Sequence, residues 1–84
     1  MGRAVQAEER RYRALQRGAD RVCSLIVASD YPAIDLVIEI GKLREFVERH
    51  FPGREALFEM IYGSRFRRLW RQFRPGETCD LSGW

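Results

Sequence analysis

Residues 33–40, AIDLVIEI, admit two readings, and the choice between them decides the fold. Ile34, Leu36, Ile38 and Ile40 alternate with other residues, as along one face of a strand. VCSLIVA at 22–28 could then pair with it across SDYP at 29–32, giving a β-hairpin flanked by helices. An isolated two-stranded hairpin is marginal in water, and no third strand is visible. The helical reading continues on both sides of the octapeptide. Leu36, Ile40, Leu43 and Val47 recur at four-three-four spacing, so a helix over about 32–50 is expected. Asp30 is its expected N-cap, with Pro32 in the first turn. Ile34, Val37 and Ile38 widen its apolar surface to a second side, which suits a helix in the middle of a bundle.

Upstream, Tyr12, Leu15, Ala19, Val22, Cys23 and Ile26 share one stripe, and Arg10, Arg13, Arg17 and Arg21 lie opposite it. The stripe passes through Gly18, which costs ~1 kcal/mol relative to Ala inside a helix. One long helix over about 4–29 is therefore expected. Downstream, Pro52-Gly53 marks a turn, and a third helix over about 54–74 buries Phe58, Tyr62, Phe66, Leu69, Trp70 and Phe73. Pro75-Gly76 stops it, and residues 75–84 form a short extended tail in which Leu81 and Trp84 could dock back. The expected fold is all-α: a single domain, 1–84, forming a three-helix bundle with a long first helix and a C-terminal helical hairpin.

Charge is unevenly spread. Residues 1–21 hold six Arg against three acids, residues 22–64 four basic against seven acidic side chains, and residues 65–84 five Arg against two acids. The net charges are thus +3, −3 and +3. Arg outnumbers Lys 14 to 1, a bias too uniform to mark one site. Such a layout could pair within the fold, with the acidic second helix as partner of the arginine-rich third, across a dimer, or with an anion.

SRFRRLWRQFR, 64–74, invites a nucleic-acid reading. A helix-turn-helix broken at Gly63 would need a small residue where Glu59 stands, and it would set Arg65, Arg67 and Arg68 at the positive end of a helix dipole. A continuous helix places Arg71 and Arg74 near the favourable end instead. Arg65, Arg67, Arg68, Arg71 and Arg74 then form an outer shell that could contact nucleic acid or another anion, with steep salt dependence.

Catalytic chemistry finds little support. His50 is the only histidine, with no ligand partner at metal spacing, and Cys23 and Cys79 belong to no CxxC pair. There is no GxSxG, P-loop or GxGxxG pattern. Neither an enzyme nor a cofactor is expected. The longest apolar run is four residues, Leu25 to Ala28, so no membrane partner is expected, and with no apolar stretch resembling a signal sequence the expected location is cytoplasmic. A first helix near 38 Å, by ~1.5 Å per residue, overhangs its neighbours. The leading expectation is a non-catalytic protein–protein interaction module that forms a homodimer or larger homo-oligomer through Val5, Tyr12, Leu15, Ile34 and Ile38. The alternative is an accessory nucleic-acid-binding protein using the arginine face.

Overall fold

The computed structural model describes the backbone of residues 2–28 and 30–77, with side chains from residue 6 onward in those ranges. Among them there are three helical rods and no strand. α1 spans Gly2–Val27 and α2 spans Ala33–His50. The third rod is composite: α3 (Glu55–Phe58), a π-helical turn at Glu59–Gly63, and α4 (Ser64–Phe73). AIDLVIEI is helical, and the hairpin reading falls. The molecule is elongated, with principal extents of 49 × 21 × 17 Å.

The π turn has a sequence cause. Phe58, Tyr62, Phe66 and Trp70 recur every four residues. Each such step overshoots one α-helical turn by about 40°, so three steps would wind the aromatics well round the rod. One wider turn absorbs roughly one residue and returns Phe66 and Trp70 to the side of Phe58. All three are buried, and the turn closes on the buried Gly63. The backbone stays right-handed helical from Phe58 through Ser64, so the rod is continuous, as expected, and has no reading-head break at Gly63.

The arrangement of the rods departs from expectation. α1, and not α2, is the central element, packing against both α2 and α4. Its buried Leu15, Ala19, Val22, Cys23 and Ile26 face the Leu36, Ile40, Leu43 and Val47 seam and the Phe58, Phe66 and Trp70 stripe. Gly18 lets α2 come close: a β-carbon there would lie 2.6 Å from Leu43 Cδ1. The glycine is a close-approach site, and α1 runs through it unbroken.

At the start of α2, Pro32 and not Asp30 occupies the N-cap position, with φ −63° and no side-chain capping bond. Its fixed φ is preset for helix entry, and its carbonyl accepts from Leu36 N–H at 3.1 Å. Arg49 and His50 complement the dipole in the last turn. Phe51 ends the helix by donating to Val47 O at 2.8 Å, and Gly53 takes φ 86° in the turn that follows. A ring cluster seals this end. Tyr12 lies 5.0 Å from Phe51 and 6.1 Å from Phe58, Phe51 lies 5.2 Å from Phe58, and His50 packs on Phe46 at 4.5 Å.

Candidate interaction surfaces

The five arginines of the third rod do not form one shell. Arg74 is buried, only 4% exposed, and belongs to the interior. α4 ends at Phe73, and Arg74 leaves helical geometry at φ −131°, ψ 53°. Its guanidinium turns to the C-terminus of α1. Nε donates to Ile26 O at 2.8 Å, and Nη2 donates to Leu25 O at 3.1 Å and Ala28 O at 2.6 Å. Nη1 pairs with Glu77 at 3.0 Å, and the group sits 5.8 Å over the Trp70 ring. The last carbonyls of a helix lack partners within it and carry its negative end; a planar five-donor fork suits them. Arg74 is thus a cap on α1, and its expected role as an anion contact is corrected.

Arg65 reaches Asp20 of α1 at 3.9 Å, both groups being largely solvated. The ionic partner of this face is thus α1, and not the acidic second helix. Arg67 is half-buried. Arg68 and Arg71 are exposed and have no ion-pair partner among the described residues. On α1, Arg13 pairs with Glu9 at 3.3 Å and Arg21 with Glu39 at 3.9 Å, while Arg10 and Arg17 project into solvent. Two shallow recesses join these groups: Arg10, Arg13, Gln16, Arg17 and Asp20 line one, and Gln16, Asp20, Tyr62 and Arg65 line the next.

The expected oligomer contacts also divide. Leu15 is wholly buried and Tyr12 half-buried in the ring cluster, where Arg54 donates to its hydroxyl at 3.2 Å. Leu15 serves the core, because α1 is central, and is corrected as an interface residue; Tyr12 packs against that core and stays partly exposed. The Val5 side chain, and Cys79, Leu81 and Trp84 in the tail, lie outside the described residues. Ile34 and Ile38 are 68% and 50% exposed. They lie on the side of α2 away from its buried seam, where no rod covers them. A second apolar group was less legible: Leu57, Met60 and Ile61 are exposed around the π turn, with Met60 68% exposed. The π turn shifts the aromatics inward and leaves this side outermost. Phe73, expected in the buried stripe, is 43% exposed.

No group of three or more His, Cys, Asp or Glu among the described residues could hold a metal, and no described helix is long and apolar enough to cross a membrane. Burial pushes the Cys23 thiol above its ordinary value, against a smaller opposing effect of Arg65. In a Cys79→Ser background, Cys23 is expected to react with iodoacetamide far more slowly in the folded chain than in guanidinium, because a buried thiol yields little thiolate. Equal rates would contradict this placement. Comparison with protein-family models, with curated proteins and with solved structures finds no match.

Proposed function

We propose that this chain is a non-catalytic interaction module that self-associates through the outward side of α2. The observation that carries this is the exposure of Ile34 and Ile38 opposite a complete core seam. Single exposed apolar residues are ordinary, but two isoleucines one turn apart form a contiguous apolar strip on a chain this small. Leu57, Met60 and Ile61 offer a separate surface for a further contact. A cytoplasmic setting belongs to the same proposal. In sedimentation velocity at micromolar concentration, the parent is expected to run as a dimer and Ile34→Glu/Ile38→Glu as a monomer. A parent at monomer mass throughout would sink the reading.

A second reading is favoured by two adjoining recesses, one along α1 and one where α1 meets Tyr62 and Arg65 of the third rod. Arg10, Arg13, Arg17 and Arg65 could there hold a nucleic-acid backbone through salt-sensitive contacts. Fluorescence anisotropy with a labelled oligonucleotide at about 50 mM salt tests it. Binding that survives Arg10→Gln/Arg13→Gln/Arg17→Gln unchanged, or no binding by the parent, removes it.

A further inference from the structure

We propose that two copies associate by packing their α2 helices antiparallel, with Ile38 of each copy seated over Gly41 of the other. This rests on the self-association reading above and gives it a geometry. Ile34, Ile38, Gly41, Glu45 and Glu48 recur at four-three-four-three spacing, the repeat of a helix-pairing seam. At about 100° per residue they fall on the side of α2 opposite the buried Leu36, Ile40, Leu43 and Val47. Gly41 is the unexplained member. A β-carbon there would meet nothing within 4 Å, so no contact among the described residues calls for a glycine in mid-helix. Glycine is a poor helix former, yet it lets a second backbone come close. Ile38, half exposed and one turn away, is the matching knob.

Charge sets the orientation. In a parallel pair, Glu45 would face Glu45 and Glu48 would face Glu48 across the seam, while Gly41 opposite Gly41 would leave a void. Antiparallel pairing with Ile38 over Gly41 instead lays Ile34 against the methylenes of Glu45 and separates the carboxylates. One flank of the seam carries Asp35, Lys42 and Arg49 at seven-residue intervals, acidic toward the N-terminus and basic toward the C-terminus. Antiparallel packing brings that flank against itself reversed, so Asp35 of each copy comes beside Lys42 of the other. Asp35 is exposed, and the Lys42 ammonium, 68% exposed, has only a 3.5 Å contact with Glu39. One helix pair covers less than the ~800 Å² per partner of a standard interface, so the dimer is expected to dissociate on dilution.

Sedimentation equilibrium on four proteins tests this: the parent, Gly41→Leu, Asp35→Lys and Asp35→Lys/Lys42→Asp. Circular dichroism melts of dilute samples check that each folds. Gly41→Leu is expected to weaken dimerisation more than about tenfold without lowering the melting temperature, since leucine is the better helix former. Asp35→Lys is expected to weaken it by several-fold, and the double exchange to restore the parent constant to within about threefold. A dimeric parent whose Gly41→Leu variant associates equally well, or whose double exchange associates no better than Asp35→Lys, overturns the antiparallel seam and leaves self-association standing. A parent that stays monomeric overturns both.

Discussion

Arg74→Ala is expected to lower the free energy of unfolding by about 3 kcal/mol, whereas Arg68→Ala, six residues earlier on the same rod, changes it by less than about 0.5 kcal/mol. The contrast follows from surroundings. Arg68 is solvated and has no partner among the described residues. Arg74 is 4% exposed and donates to three carbonyls at the end of α1. A buried cation is tolerable only where its donors are met and negative charge is near. The α1 C-terminus, Glu77 and the Trp70 face supply both. Truncation removes the donors to the Leu25, Ile26 and Ala28 carbonyls at once and opens a void beside Trp70. Glu77, more exposed, regains water, which keeps the loss at the low end of that for a broken buried pair. Arg74→Met retains most of the stem and tests the polar part alone; it is expected to lose nearly as much as alanine. For a chain of this length the alanine variant should melt roughly 15 °C lower. Urea unfolding that places Arg74→Ala within about 1 kcal/mol of the parent would remove the capping role.

The same arginine shows where sequence reading stopped. The stripes that build the core were legible because apolar residues at helical spacing carry their own phase: Leu36, Ile40, Leu43 and Val47 on α2, and Leu15, Ala19, Val22 and Ile26 on α1, are all buried. A helical wheel, however, assumes α geometry to the last residue. Arg74 lies one residue past the end of α4, and its changed backbone turns the side chain inward. Phe73, in the last helical turn of that rod, is left partly outside. The π turn was legible only in hindsight: a run of four-residue steps is the mark of a rod that must widen one turn to stay in phase. The order of the rods was not legible at all. An apolar face covered by another rod and one left open look alike in sequence, so two-sided α2 suggested the centre. Ile34 and Ile38 remain as candidate contacts because the described residues leave them largely exposed, whereas Leu15 drops out because the centre belongs to α1.

Gly18→Val is expected to destabilise the bundle by about 2 kcal/mol, while Gly41→Ala, measured on dilute monomer, stabilises it by up to about 1 kcal/mol. Both glycines lie inside helices, and propensity alone would predict a gain at each. Space separates them. At Gly18 a β-carbon would come to 2.6 Å from Leu43 Cδ1, closer than real atoms pack, whereas at Gly41 it would touch nothing within 4 Å. For Gly18→Ala the two effects oppose, since the end of Leu43 can rotate away, and the net change should be near zero. Valine adds two branched methyl groups with restricted rotamers, and Leu43, itself 8% exposed, has little room to retreat. The α1–α2 spacing must then open, loosening contacts along the Ile40, Leu43 and Val47 seam. A double-mutant cycle isolates this cause: in a Leu43→Ala background the cost of Gly18→Val should shrink by more than 1 kcal/mol, because the colliding atom is gone. A cost that stays the same in both backgrounds would mean that Gly18 is required for its backbone and not for the close approach of α2.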